Sequence, residues 1–476
     1  MNNSAAHAQF VRMTEAPVRR LILSLAAPTI CSMLVTTFYN MADTFFVARL
    51  GTSATGAVGV VFSLMAVIQA VGFMFGQGAA SIASRKLGAE KNDEASQATS
   101  TAFFAALFFG LLLTVLGLTN LERLMRALGA TETILPFAME YARYIFIGAP
   151  LMTTSFVMNT NLRAEGKAFF AMIGITTGGV LNVLLDPLFI FVFDMGIAGA
   201  AAATLLSQTI SFSILLSHFI FRRSVLNISV SRVSLSPLYW LNIVKTGMPT
   251  LLRQGLASIA SIALNTHAAL YGDFAVAAMT IVMRTVMFIG SILIGFGQGF
   301  QPVAGYNYGA RRYDRLIEAY WFCVRTGAVV LGALGIIMFV FAPQIIGLFQ
   351  SSDPAVTAAG TFAFRAQCLT MPLQPLIVIT NMMFQSTGKV KQGSFLAAAR
   401  QGLFFLPAIF ILPRIIGLTG VQISQTVSDI MSALCAVPLL LTFLNQMKRD
   451  MKRQPSAHSA DSQSFSASYS TSHLEP

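Results

Sequence analysis

From residue 22 to residue 445 the chain is a series of apolar runs separated by short polar connections. Each run is roughly 20 residues long, which matches the hydrocarbon thickness of a bilayer for a helix. The pattern predicts twelve helices, over 22–48, 56–83, 98–119, 135–160, 167–193, 195–221, 243–270, 276–304, 319–341, 357–382, 394–412 and 417–445. Lipid offers the backbone no hydrogen-bond partners, so a chain of this composition is expected to be an all-α integral membrane protein.

The polar punctuation repeats. Gly76-Gln77-Gly78 recurs as Gly297-Gln298-Gly299, 221 positions on, and the same shift carries Pro28-Thr29 onto Pro249-Thr250, Gly88 onto Gly309 and Asp93 onto Asp314. Gly196 and Gly199 fall on Gly417 and Gly420, and Gly166-Lys167 meets Gly388-Lys389 after a slip of one. Chance matches would scatter over many offsets, so the chain is expected to be a tandem repeat. An even number of helices per unit gives both halves one orientation, hence two six-helix lobes related by a parallel pseudo-twofold axis along the membrane normal. The expected division is a cytoplasmic N-terminus over 1–20, an N-lobe over 21–221, a polar cytoplasmic linker over 222–242, a C-lobe over 243–447 and a disordered Ser-rich cytoplasmic tail over 448–476. In the connections after the second and eighth helices, Gly88 and Gly309 are expected to close their helices in left-handed turns and Asp93 and Asp314 to N-cap the next ones.

Composition narrows the class. Of 476 residues 55% are hydrophobic and only 11% charged, against about 25% charged in an ordinary soluble domain. The net charge of +12 raises nucleic acid as a partner, but its distribution excludes it. Basic residues gather at alternate helix ends, among them Arg19 and Arg20, Arg85 and Lys86, Arg163 and Lys167, Arg222 and Arg223, Arg311 and Arg312, Lys389, Lys391 and Arg400, and Lys448 and Arg449. That asymmetry is the positive-inside pattern and predicts cytoplasmic termini in a multi-pass protein of the cell (inner) membrane. Cys31, Cys323, Cys368 and Cys435 lie singly in apolar runs, and no HExxH or CxxC is present, so neither a disulfide framework nor a metal enzyme is expected.

Ionisable groups inside apolar helices are costly and default to function. Three carboxylates qualify: Asp43 toward the outer end of the first helix, Asp186 toward the outer half of the fifth, and Asp429 in the twelfth. Asn182 precedes Asp186 by four residues and shares its helical face, and Pro187 loosens the backbone beside them. Two carboxylates, an amide and a freed carbonyl suit a proton or a Na+ ion, with Asp43, Asn182 and Asp186 as the ion's ligands in the second case. Asp43 maps onto Leu264 in the repeat, so coupling chemistry is expected in the N-lobe alone. The C-lobe instead carries Arg253, Arg284, Arg325 and Arg365, one of which is expected to pair with Asp429, since a lone buried charge is costly. Phe38, Tyr39, Asn40, Met158, Gln254, Met283, Met287 and Arg284 are candidate cavity residues; thioethers and aromatic rings suit varied, flat, cationic molecules.

Taken in order, Pro28…Asn40-Met41-Ala42-Asp43, Gly76-Gln77-Gly78…Gly88, Arg163-Ala164-Glu165-Gly166, Asn182…Asp186-Pro187 with Gly196-Ile197-Ala198-Gly199-Ala200, and Gly299…Pro302…Tyr306-Asn307…Gly309 resemble the MATE (multidrug and toxic compound extrusion) transporters over about residues 15–447. Within that family it resembles the DinF-like and MepA-like branch. It implies a V-shaped pair of bundles that exports cationic or amphipathic organic molecules in exchange for H+ or Na+ by alternating access, with no organic cofactor. It also implies an N-lobe cation site of Asp43, Asn182 and Asp186, joined by Asn159, Tyr141 and Thr204. Gln254 is neutral where another branch carries a glutamate, which argues against a C-lobe Na+ site. Since one chain supplies both lobes, a monomer is expected. The rival readings are a lipid-linked precursor flippase, kept alive by the C-lobe arginines, and an intramembrane prenyltransferase-like enzyme, disfavoured because the cytoplasmic loops have no paired-Asp motif.

Overall fold

The computed structural model describes residues 2–221, 223–349 and 353–453, and among them every regular element is helical. In chain order these are α1 (Asn2–Glu15), α2 (Val18–Ala48), α3 (Thr52–Gly88), α4 (Asn92–Thr119), α5 (Leu121–Ala127), α6 (Leu135–Ala164), α7 (Ala168–Pro187), α8 (Gly196–Ile220), α9 (Pro237–Ala269), α10 (Asp273–Gly309), α11 (Tyr313–Val340), α12 (Ala342–Phe349), α13 (Pro354–Thr370), α14 (Gln374–Ser386), α15 (Val390–Ala398), α16 (Phe405–Ile416) and α17 (Leu418–Arg453). A π turn (Leu188–Val192) extends α7, a 3-10 turn (Met371–Leu373) joins α13 to α14, and a second π turn (Ala399–Leu403) joins α15 to α16. Ten of the resulting segments are long and apolar enough to cross a membrane. The other two long helices, α6 and α9, have 30 and 33 residues but are more polar.

Helices overrun their apolar stretches. α3 continues to Gly88 and α10 to Gly309, because polar turns at the basic end are still good helix and apolarity alone does not register them. α9 begins at Pro237, inside the expected linker, with Pro in the first turn where its missing N–H costs nothing. The connection is therefore 221–236, and its described part is stapled to the N-lobe. Glu165 Oε2 accepts from Ser224 Oγ at 2.7 Å, Val225 N at 2.9 Å and Leu226 N at 3.2 Å. Ser100 Oγ donates to Asn227 O at 2.9 Å, and Thr101 Oγ1 accepts from Ser234 N at 3.0 Å. α17 runs on past residue 447 to Arg453, and the rest of the expected tail lies outside the described residues. Within the stretch expected as a cytoplasmic N-terminus lies α1, whose Met13 is fully buried.

Packing partners recur in the two halves. α2 packs on α7, α3 and α4 on α6, and α8 on α6 and α7; correspondingly α9 packs on α15, α10 and α11 on α13 and α14, and α17 on α13 and α16. Between the halves, α2 lies against α10 and α3 against α9. One hydrophobic core, containing Phe75, Ile243, Phe300 and Phe384, takes residues from both halves at the basic end; at the other end each half has its own core, around Tyr141 and Ile145 in one and Phe364 and Phe405 in the other. The lobes are thus fused at one end and separate at the other.

The repeated glycines make that fusion. A Cβ on Gly78 would sit 2.3 Å from Ile243 O, and one on Gly299 2.6 Å from Ala26 Cα, so only glycine lets these backbones meet. Gly88 and Gly309 act in the same way: a Cβ on either would run into a backbone carbonyl of the opposite lobe, Tyr306 O and Arg85 O respectively. This corrects the expected left-handed cap. The positive φ falls two residues on, at Glu90 and Arg311, both at 58°. Nor do the aspartates cap: α4 and α11 start without a side-chain cap, and Asp93 instead receives Arg232 Nη1 at 2.7 Å.

Candidate functional site

α2 and α7 bring Asp43 and Asp186 close enough to interact electrostatically. Asp186 is fully buried, and Asn182, one turn earlier on the same face, donates from Nδ2 to its Oδ1 at 3.1 Å. The same amide contacts Thr204 Oγ1 on α8 at 3.2 Å, and that hydroxyl in turn donates to Ala200 O at 3.0 Å. From α6, Tyr141 donates its phenol to Asp43 Oδ2 at 3.4 Å. One oxygen of each acid, Asp43 Oδ1 and Asp186 Oδ2, is buried without a partner. Among the described residues no ion pair includes either acid. Beyond Asp186 the helix passes through Pro187 into the π turn, so the ring's missing donor coincides with a widened backbone.

Two carboxylates, each with an acceptor oxygen to spare, have the donor chemistry to take up a proton or a small cation. Among the described residues no three His, Cys, Asp or Glu groups cluster together. Asp43, Asn182, Asp186, Tyr141 and Thr204 do come together. Asn159 does not. Its Nδ2 donates to Ala171 O at 2.8 Å, and Ala171 lies eleven residues before Asn182, about 16 Å along a helix. Asn381 makes the same bond to Gly393 O at 2.6 Å in the other lobe. The asparagine is a repeated tie between helices.

The expected cavity residues separate in the same way. Phe38 is exposed and meets Phe288 of the other lobe edge-on, with ring centroids 6.1 Å apart. Tyr39 packs over Gly179 between α2 and α7. Asn40, Gln254 and Met283 are half-buried, and Arg284 and Met287 are exposed. Met158 is fully buried in the shared core and has no access to a cavity. The C-lobe acid does find an arginine, though not an expected one. Asp429 is bound by Arg400 Nε at 2.7 Å, Gln425 Nε2 at 2.9 Å, and Thr370 and Gln374 at 3.4 Å. Arg400 stands on the π turn, whose extra residue shifts its register; by ordinary helical spacing it counts with the basic end. Arg365 is used elsewhere, donating to Phe339 O at 3.1 Å, and Arg325 lies over Trp321 at 5.8 Å.

The family model described as MatE matches residues 28–188 and again 249–411, one match per half. The multidrug export protein MepA of Staphylococcus saprophyticus is 26% identical over 443 residues, covering 93% of this chain and 98% of that protein. Among solved structures, an outward-facing conformation of a multidrug resistance MATE family transporter of the MOP superfamily superposes with a TM-score of 0.87 at 28% identity, covering 92% of this chain and 98% of that one. A MOP superfamily transporter from Pyrococcus furiosus, titled for the reverse polarity of its binding pocket, gives 0.86 at 28% identity with the same coverage. With both halves matched and both lobes reproduced in the solved structures, the chain belongs to the MATE family and is a multi-pass membrane transporter rather than an enzyme.

Proposed function

We propose that this chain is a twelve-helix secondary antiporter, acting as a monomer with both termini cytoplasmic, that exports cationic or amphipathic small molecules in exchange for H+ or Na+. The observation that carries the reading is the pair of unpartnered buried oxygens on Asp43 and Asp186. The repeated packing partners support the pseudo-twofold, and the names of the MepA relatives support multidrug export.

With the lobes fused at the basic, cytoplasmic end, the molecule faces outward. Its N-lobe then holds two negative charges in a site of low dielectric, which favours a cationic substrate. Protons or Na+ ions arriving from outside, one for each carboxylate, neutralise both charges and remove the attraction, so the substrate leaves outward. The loaded, neutralised lobe can then rearrange, with α2 free to bend at Pro28. A one-unit pH difference supplies about 1.4 kcal/mol per proton. Every charge moved in excess of strict one-for-one exchange adds about 2.3 kcal/mol per 100 mV.

The deciding experiment is ethidium efflux from proteoliposomes under an imposed pH gradient, then under an imposed Na+ gradient. Efflux that follows one gradient and reverses with it identifies the coupling ion. Efflux indifferent to both rejects antiport. A flippase for a lipid-linked anionic precursor is the second reading. It is favoured by Arg253, which lies near enough to Arg400 to feel its charge while Asp429 is already engaged by Arg400. Transport of a pyrophosphate lipid in place of ethidium would select it.

A further inference from the structure

At the fused end, between the lobes, lies a pocket of about 20 Å³, room for one water or one small ion. Arg163 from α6 and Ser386 from α14 both line it, together with Gln77, Ser81, Gln298 and Gln301. Arg163 is 5% exposed and Ser386 1% exposed. Arg163 Nη1 donates across the lobe boundary to Gln298 Oε1, but its Nη2 and the Ser386 hydroxyl are both buried without a partner. No carboxylate lines the pocket, and among the described residues Arg163 joins no ion pair.

A guanidinium does not lose its proton, and a buried charge without a counter-charge is strongly unfavourable. A water could accept hydrogen bonds from both free donors, but it would leave the charge uncompensated. An anion answers both needs at once. We propose that this pocket binds one small inorganic anion of chloride size, held by Arg163 from the N-lobe and Ser386 from the C-lobe. Because its two donors come from opposite lobes, the anion binds only while the cytoplasmic ends are shut. It therefore favours the outward-facing state by mass action. The site is independent of the carboxylate pair and of which ion that pair couples.

The test is a thermal-unfolding series on the purified full-length chain in detergent, titrating sodium chloride against sodium gluconate at constant ionic strength. The wild type is expected to gain stability saturably with chloride and not with gluconate. Ser386→Ala is expected to weaken the chloride response about tenfold, the scale of one hydrogen bond to a charged group, and Arg163→Gln to abolish it. Should Arg163→Gln fail to fold, Ser386→Ala still decides the matter, since that change leaves the charge in place. An identical response to chloride and gluconate, or an unchanged chloride midpoint in Ser386→Ala, would overturn the proposal. In crystals grown with bromide, an anomalous peak between Arg163 and Ser386 is expected; its absence, with bromide seen elsewhere, would count against the site.

Discussion

Both lobes bury an aspartate among polar neighbours, yet the two are in opposite electrostatic situations. In the C-lobe, Asp429 has an arginine and three further donors and is chemically satisfied. In the N-lobe, Asp43 and Asp186 share two long or neutral hydrogen bonds and, among the described residues, pair with no cationic side chain. One scaffold, duplicated, thus holds a closed charge pair on one side and an open anionic site on the other. An open site can exchange its counter-ion, whereas a paired acid is held by a fixed one. Coupling is expected where no fixed basic side chain holds the acid.

The sharpest way to break this contrast is to neutralise each acid in turn. Asp186→Asn is expected to reduce gradient-driven ethidium efflux to the level of empty proteoliposomes, and Asp43→Asn to do nearly the same, with both proteins still inserted and monodisperse. Full efflux in either would end the N-lobe assignment. Asp429→Asn is expected to act on stability instead. It strands Arg400, and breaking a buried pair from one side costs about 3–5 kcal/mol. Unfolding should come at markedly lower temperature, while the coupling ion stays the same. Adding Arg400→Gln to Asp429→Asn should recover part of that loss. If Asp429→Asn changes the coupling ion, the closed pair is not a passive one.

A smaller effect sharpens the comparison. Asn159→Ala and Asn381→Ala each remove an amide that satisfies a buried backbone carbonyl across a helix pair. Each is expected to cost about 1–3 kcal/mol, the scale of an unmet buried acceptor. The two losses should be similar, and neither should alter coupling. An Asn159→Ala protein that is as stable as wild type but uncoupled would return this residue to the cation site.

Much of this was legible along the chain, for definable reasons. Helices were visible because lipid imposes length and apolarity on each of them separately, and the duplication because it fixes one register. The Asn182–Asp186 contact follows from four-residue spacing on a single helix. What the sequence does not carry is the identity of partners across helices. Gly88 resembles a helix cap in isolation, and its actual neighbour is a carbonyl more than 200 positions away. Arg400 resembles one more basic end residue until the π turn rotates it onto Asp429. Arg163 counts equally well toward the positive-inside pattern, and only the packed interface shows that its free nitrogen is buried. Asn159, which the resemblance sets among the cation ligands, bonds a neighbouring helix's carbonyl just as its counterpart Asn381 does in the other lobe, a contact no spacing along the chain announces.

The smallest expected effect lies at the repeated loop acids. Asp93 meets Arg232 at 2.7 Å, with the carboxylate side chain 92% exposed, and Asp314 is its counterpart in the other half. Exposed pairs contribute about 0–1 kcal/mol, and the linker keeps its attachment through Glu165, Ser100 and Thr101. Asp93→Asn and Asp314→Asn should therefore leave both unfolding temperature and coupled efflux within error of wild type. This near-null result carries weight, because both positions fall where the lobes join and where a coupling role would be easiest to suppose. If Asp93→Asn slowed efflux while Asp314→Asn did not, the N-lobe's difference would extend beyond its membrane interior to its loop. The connection bonded to Ser100 and Thr101 of α4 would then belong to the cycle and not only to the anchoring of the linker.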